Sequence, residues 1–197
     1  MENGVVTKLI HNNVSGATGI AVKGNDVYVS GYSMVANTFE SIATALYWKN
    51  GVPVILSDGS LYSQASKILI SGNDLHIVGH EHNMKGNWNA KYWKNNVSIE
   101  LPNGGEANGV FVDGTDVYIT GRQGGVKYWK NGAAVDIPGG SFIYGIAVFN
   151  NTVYTAGSTY DSDTNVSKAG YWNNKTFITL SEGTQYPNAY SIAVIAQ

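Results

Sequence analysis

A four-residue motif occurs four times along the chain and constrains its fold more than any other sequence feature. The copies begin at Tyr47, Tyr92, Tyr128 and Tyr171, and read Tyr-Trp-Lys-Asn three times and Tyr-Trp-Asn-Asn once. An interval of roughly 40 residues is typical of propeller blades and of solenoid repeats. The sequence therefore predicts four copies of one structural unit.

A second motif precedes each Tyr-Trp copy and indicates the strands of the unit. It reads Gly-Asn-Asp-Val-Tyr-Val-Ser-Gly at residues 24–31 and recurs in related form at residues 72–79, 114–121 and 150–157. A short apolar segment lies before each of these motifs, and another follows each Tyr-Trp copy. Each repeat is thus predicted to contain four short strands, A to D, with tight Gly, Asn and Asp turns joining A to B and C to D.

The side-chain pattern of strands A and B distinguishes a propeller from a sandwich. Both strands are largely apolar on both faces, as in Ile20-Ala21-Val22 and Val27-Tyr28-Val29. A sheet with one solvated face would alternate apolar and polar residues, whereas a sheet stacked between neighbours would not. We therefore expect an all-β fold, a β-propeller of four-stranded antiparallel blades, as a single domain over residues 1–197.

The two ends of the chain resemble isolated strands of the same repeat. Residues 2–10 resemble residues 49–56, which contain strand D, and residues 189–194 resemble residues 17–22, which contain strand A. We expect four full repeats and a split fifth blade that lacks strands B and C. The chain is a piece of a longer propeller, or several chains complete one ring, or the ring is left open. Because an unpaired strand edge attracts a partner strand, we expect a homo-oligomer formed through the incomplete blade.

The two motifs together carry a resemblance to a known group of repeats. Gly-Asn-Asp-Val-Tyr-Val-x-Gly followed by Tyr-Trp-Lys-Asn-Gly resembles the β-propeller repeats of many uncharacterised bacterial surface and secreted proteins. The resemblance implies a propeller that serves as a binding scaffold, and it implies no catalytic residues. The sequence departs from the pattern at His76, where Tyr is usual, and at Asn96 and Lys175, where Gly is usual in the C–D turn.

Composition argues against several functional classes. The chain of 197 residues has 12 Lys and Arg against 14 Asp and Glu, and contains no Cys. A nucleic-acid-binding protein would present a basic footprint, and a membrane helix needs about 18 or more consecutive apolar residues. We expect no nucleic-acid partner, no membrane association and no cofactor. The chain as given is expected to be soluble, with an extracytoplasmic location in its parent protein.

Sequence variation between the repeats locates the predicted binding face. The B–C stretch differs in length and composition in every repeat, while the A–B and C–D turns are short and similar. Variable loops on a rigid scaffold are where binding residues concentrate. We expect a ligand site, for a carbohydrate or for a protein, on the B–C/D–A face, and its predicted residues are Tyr32, His80, Glu81, Trp88, Arg122 and Tyr160.

The acidic residues divide into repeated and non-repeated positions. Asp26, Asp74 and Asp116 occupy one turn position in three repeats, which predicts a structural role in the turn. The non-repeated acids include Glu40, Glu81, Glu106, Asp161 and Asp163. A glycoside hydrolase needs two carboxylates about 5–10 Å apart, and the sequence does not identify such a pair. We predict a non-catalytic binding or scaffold protein, with a glycoside hydrolase and a self-assembling structural repeat as the alternatives.

The segment His80-Glu81-His82 is the only local cluster that suggests a metal site. In an extended strand the two imidazoles would point to the same side. A zinc site requires at least a third protein ligand, which the sequence does not supply. We therefore expect no metal, and we expect His76 to be a packed core residue.

Overall fold

The structure, a computed structural model, describes residues 6–11, 14–34, 42–183 and 187–195. These residues form 16 strands in four four-stranded sheets. They contain no helix, and so none that is long and apolar enough to cross a membrane. The chain divides into two compact units, Met1–Glu100 and Leu101–Gln197. The prediction of a single domain over residues 1–197 remains a prediction.

The first unit contains two of the sheets. Sheet 1 consists of β1 (Val14–Lys23), β2 (Asp26–Met34), β3 (Ala43–Lys49) and β4 (Val52–Ile55). Sheet 2 consists of β5 (Ser63–Ser71), β6 (Asp74–His82), β7 (Trp88–Lys94) and β8 (Val97–Glu100).

The second unit contains the other two sheets. Sheet 3 consists of β9 (Glu106–Asp113), β10 (Asp116–Arg122), β11 (Val126–Lys130) and β12 (Ala133–Ile137). Sheet 4 consists of β13 (Phe142–Phe149), β14 (Thr152–Asp161), β15 (Val166–Asn173) and β16 (Thr176–Gly183).

Every sheet is an antiparallel meander in chain order, which confirms the predicted A-B-C-D repeat. Consecutive sheets pack face to face within each unit, through β1 to β3 against β5 and through β10 and β11 against β13. This is the blade architecture of a β-propeller. Neither of the terminal segments predicted as a split fifth blade forms a strand within the described residues 6–11 and 187–195.

The last glycine of the second motif is required by a β-bulge in strand A. The register of strand A shifts by one residue at the same point in every sheet, for example between Ala17 and Gly19. The shift brings a strand-A carbonyl oxygen so close to the strand-B glycine that an added Cβ would overlap it. Only glycine fits such a close backbone approach, which explains the repeated glycines Gly31, Gly79, Gly121 and Gly157.

Two of the repeated tryptophans, Trp93 and Trp172, pack between the consecutive sheets of their unit, as predicted. Trp93 of sheet 2 contacts the cluster that contains Ala45 and Tyr47 of sheet 1, and Trp172 of sheet 4 packs with Val126 of sheet 3. All four indoles are essentially removed from solvent. A buried aromatic ring of this size typically contributes about 3–5 kcal/mol relative to Ala. Trp93 and Trp172 are therefore large apolar contacts between one sheet and the next within each unit.

The asparagine that ends the Tyr-Trp-Lys-Asn motif joins the C–D turn to strand B. Asn131 adopts a left-handed backbone conformation, φ 51°, which Asn tolerates better than other non-glycine residues. Its side-chain oxygen accepts a hydrogen bond from Val117 N at 2.8 Å, and its amide donates to Asp116 Oδ1 at 2.7 Å. The same backbone-to-Asn bond recurs in all four repeats.

The repeated aspartates have a structural role, but they bond the C–D turn rather than capping their own turn. Asp116 accepts from Asn131 and forms a 2.8 Å ion pair with Lys130 Nζ. These two donors, the Lys130 ammonium first, hold the pKa of Asp116 below its ordinary value. Both members of the pair are partly solvent-exposed, so the pair itself adds little stability.

His76 is a buried core residue, as expected from its position in strand B. It stacks on Tyr92, and its Nδ1 lies 2.7 Å from the Tyr92 hydroxyl. Burial, followed by the Lys94 ammonium, lowers the pKa of His76. Burial also raises the pKa of Tyr92 to about 12. Both groups are therefore neutral in the folded protein near pH 7, and the hydrogen bond joins two uncharged groups, with its direction set by the imidazole tautomer.

Replacing the turn asparagine should weaken the fold. Asn131→Ala removes two side-chain hydrogen bonds and places Ala in a left-handed conformation, which should lower the free energy of unfolding by about 1–2 kcal/mol. Lys130→Ala is the matched control, because it removes a partly exposed ion pair and a cation–π contact with Tyr118 but leaves the turn backbone and the Asn131 bonds in place, and its effect should be smaller. Urea denaturation of the three proteins measures the difference, and an equal effect of the two variants would contradict this account of the turn.

Replacing His76 should change how stability depends on pH. In the unfolded chain, His76 binds a proton with the ordinary histidine pKa of about 6.5, whereas in the folded protein its pKa is lower. The free energy of unfolding is therefore highest above that pH and decreases as the pH falls below it. His76→Tyr restores the Tyr-Tyr pair found as Tyr28–Tyr47 and Tyr118–Tyr128. Between pH 7.5 and 5 the variant should lose less stability, by up to about 1.4 kcal/mol per pH unit. If the melting temperatures of the two proteins changed with pH in the same way, the lowered pKa of the buried His76 would be refuted.

Candidate functional site

The first unit carries an aromatic cluster at the B–C/D–A end of sheet 2. The indole of Trp88 meets the rings of His82 and His80 edge-on, with centroids 3.8 Å and 4.5 Å away. Tyr62 lies edge-on to the same indole at 5.4 Å. Burial raises the pKa of Tyr62, and the nearby Tyr32 phenol adds to the rise. The structure thus brings together three of the predicted site residues, Tyr32, His80 and Trp88, although Trp88 is half-buried against other rings.

The pair of histidines does not form part of a larger metal-ligand set within the described residues. His80 and His82 point to the same side of β6, where both contact Trp88. No group of three or more His, Asp or Glu side chains placed for a metal ion occurs in the part of the chain that the structure describes. The imidazoles therefore act here as packing partners of an indole.

Glu81, another predicted site residue, lies on the opposite face of β6 from these rings. Its carboxylate forms a 3.1 Å ion pair with Lys91 Nζ, and Lys91 also reaches Glu100 at 3.4 Å. The Lys91 side chain is largely buried along the sheet, while its ammonium stays with the two acids. Glu81 is thus part of an ion-pair network on β6, β7 and β8.

The second unit carries a different arrangement at the same end of its sheets. Arg122, at the end of β10, forms a 3.0 Å ion pair with Glu106 and lies over the ring of Phe142, with Cζ 4.5 Å from the ring centroid. The Phe142 ring is parallel to that of Tyr144, and Tyr144 contacts Tyr190. The guanidinium is therefore held between a carboxylate and an aromatic face, a geometry that suits Arg.

A small cleft lies beside Phe142 in the second unit. Its volume is about 130 Å³. Two partly exposed aromatic rings, Phe142 and Tyr160, form part of its wall, and the remaining lining residues carry hydroxyl or amide groups: Ser141, Ser158, Thr159, Ser167 and Asn188. Ser158 Oγ lies 2.7 Å from Asn188 Oδ1, and Tyr160 Oη lies 2.9 Å from Asn165 Oδ1. The lining is therefore aromatic and polar but uncharged.

Two of the predicted site residues, Arg122 and Tyr160, meet in this region through Phe142. The site residues predicted from the sequence include neither Phe142 nor the serines and Asn188 that line the cleft. Ser158 and Ser167 are buried residues on neighbouring strands, where Ser158 pairs with Ala169 and Ser167 pairs with Tyr160. The two serines therefore become diagonal neighbours only after β14 and β15 have paired. No local pattern in the sequence distinguishes them from other serines.

The non-repeated acids are occupied by other interactions. Glu106 pairs with Arg122. Asp161 accepts hydrogen bonds from the backbone N–H groups of Asp163 and Thr164, at 2.9 Å and 3.2 Å. The same two bonds lower the pKa of Asp161. Glu40 lies outside the described residues.

Comparisons with protein-family models and with curated proteins found no match to this chain. Matches to solved structures exist at low sequence identity. The computationally designed Ika8 protein is 14% identical with a TM-score of 0.43, over 91% of this chain and 65% of Ika8. The chain thus spans less than two thirds of that protein's length.

Two further solved structures are similar at a comparable level. The designed Ika4 protein is 17% identical with a TM-score of 0.44, over 86% of this chain and 99% of Ika4. The GH43_1 enzyme from Xanthomonas citri complexed with xylose is 7% identical with a TM-score of 0.48, over 88% of this chain and 75% of the enzyme. These similarities are too distant to transfer an activity, and the blade architecture is established by the chain's own sheets.

Trp88 should contribute to the stability of the fold through its ring contacts. Trp88→Ala removes the ring that Tyr62, His80 and His82 share, so the free energy of unfolding should fall by about 2 kcal/mol or more. Met84→Ala is the matched control, because Met84 lies in the adjoining β6–β7 loop and is 95% exposed. Its effect should stay within about 0.5 kcal/mol. Guanidinium denaturation measures both, and similar values for the two variants would show that Trp88 is not a packing centre.

Proposed function

We propose that this chain is a non-catalytic binding module for neutral carbohydrate. The cleft of about 130 Å³ at the B–C/D–A end of sheet 4 is the observation that carries the proposal. Its size lies below the range of about 300–1,000 Å³ that holds drug-sized ligands. A cleft this small admits one ring-sized group, such as a single sugar residue of a longer glycan.

The chemistry of the lining supports a sugar ligand. The apolar face of a sugar ring can stack on a partly exposed aromatic ring, and its hydroxyl groups need hydrogen-bond donors and acceptors. Phe142 and Tyr160 supply the aromatic surface, and the serine, threonine and asparagine side chains supply the polar groups. No lining residue is charged, and the adjacent Arg122 is paired with Glu106. These features favour a neutral sugar over a phosphate or a carboxylate.

The absence of catalysis is part of the proposal, and the state of the acids supports it. A glycosidase acid requires a carboxyl group whose pKa is raised. The pKa of Asp161 is lowered instead, and Glu81 and Glu106 are each held by a basic side chain. Asp161 therefore lacks the raised pKa that the general acid of a glycoside hydrolase needs.

A glycan-binding assay tests the proposal directly. The protein is applied to immobilised neutral pentoses, hexoses and their oligosaccharides, and we expect saturable binding to a subset of them. Tyr160→Ala removes one aromatic wall, and its affinity should be roughly three- to tenfold lower, since such a contact is worth about 0.5–1.5 kcal/mol.

Tyr190→Ala is the matched control, because Tyr190 is an exposed tyrosine of the same unit that does not line the cleft. Its affinity should equal that of the unmodified chain. Binding to none of the sugars, or equal loss in both variants, would refute a carbohydrate site in this cleft. Hydrolysis of a chromogenic glycoside that is abolished by Glu81→Gln or by Glu106→Gln would instead establish the glycoside hydrolase.

A further inference from the structure

The segment Ala189–Ile195 lies on sheet 4 in the place of a following A strand. A Cβ added to Gly145 would lie 3.0 Å from Ser191 Cα, and a Cβ added to Gly19 of sheet 1 would lie 3.4 Å from Lys67 Cα of sheet 2. Gly19 and Gly145 hold the same repeat position, as do Lys67 and Ser191. The segment therefore occupies the position against sheet 4 that β5 occupies against sheet 1.

The hydrogen bonding of this segment differs from that of β5. Strand β5 pairs with β6 from Ser63 to Ser71. Within the described residues 187–195, the one backbone–backbone hydrogen bond runs from Ala189 N to Gly157 O, at 3.3 Å. Its backbone groups beyond Ala189 thus present an unpaired strand edge, which is a template for strand addition.

An apolar cavity of about 380 Å³ lies between this segment and sheet 4. We use "trailing face" for the face of a sheet that packs against the following sheet. The trailing face of sheet 4 lines one side of the cavity with Tyr154, Tyr171 and Leu180, and Ile192 and Val194 line the other. None of its lining residues is charged.

The same positions of sheet 1 show what normally fills such a space. Tyr28, Tyr47 and Leu56 correspond to Tyr154, Tyr171 and Leu180, and they pack with Ile77 of β6 and Trp93 of β7. In sheet 1 the trailing face is therefore covered by the B–C hairpin of the next blade. On sheet 4, Leu180 remains 67% exposed.

We propose that the unpaired edge and the cavity together form a docking site for a β-hairpin of a partner polypeptide. The first strand of that hairpin pairs antiparallel with residues 190–195. Its inward side chains are uncharged and include a large aliphatic residue and a Trp, at the spacing of Ile77 and Trp93. Such a hairpin would continue the blade-to-blade interface that the chain itself contains between sheets 1 and 2.

A peptide with the sequence of residues 74–94, which spans β6 and β7, is the probe. Titration of the fluorescently labelled peptide with the full chain should show saturable binding by anisotropy. Leu180→Glu places a charge in the cavity wall and should weaken binding at least tenfold. Val97→Glu is the matched control, because Val97 is a similarly exposed residue on β8, the fourth strand of sheet 2, and it should leave binding unchanged.

An isolated hairpin is at best marginally stable in water, so a tethered form provides a second measurement. The same segment is fused after residue 197 through a flexible linker, which raises its effective concentration to the millimolar range. We expect a higher melting temperature than that of the unfused chain. Replacing the Ile and Trp of the fused copy by Ser should abolish the gain, while the chain's own Ile77 and Trp93 stay intact.

Three results would overturn the proposal. The first is no saturable binding together with no gain in melting temperature for the tethered form. The second is binding that Leu180→Glu does not affect. The third is a concentration-dependent oligomer of the chain alone, seen by light scattering and broken by Leu180→Glu, which would identify a second copy as the occupant of this face.

Discussion

A sheet that is apolar on both faces has to be covered on both, and this constraint underlies the rest of the structure. Strands A and B carry large aliphatic and aromatic residues on either side, so no sheet of the chain is stable as a single layer. Within each unit the following sheet provides the cover, and its indole fills the space between the two layers. Each unit is therefore a pair of interdependent layers rather than two separate sheets.

Two backbone features fix the geometry of each sheet so that it can pack against the next. The β-bulge in strand A, accommodated by a glycine in strand B, sets the strand register at one end of the sheet. The left-handed asparagine of the C–D turn ties that turn to strand B at the other end. Because both features use backbone groups and short side chains, the B–C loops are free to differ. Each unit consequently carries its own side-chain cluster at the loop end.

Residues 187–195 connect the two proposals made for the second unit. Asn188 belongs to the polar wall of the cleft, and the residues that follow it form the strand edge beside the apolar cavity. The cleft is polar and aromatic, whereas the cavity is lined almost wholly by apolar side chains. The two surfaces therefore suit different ligands, a sugar hydroxyl face for the first and a strand with apolar side chains for the second.

The repeated motifs by themselves determined the strand order, the turn positions, the buried indoles and the structural role of the aspartates, because each depends on contacts that recur at a fixed spacing. The sequence also indicated the loop end as the place of variation, and Arg122 and Tyr160 as neighbours of a site. Only the tertiary structure decided which non-repeated residues meet there. Phe142, Ser158, Ser167 and Asn188 come from different strands and from a segment far along the chain, so their proximity follows from sheet pairing. Likewise, Trp88 is a predicted binding residue, but folding packs it against two imidazoles, because the partners of this residue at the start of β7 are set by three-dimensional packing.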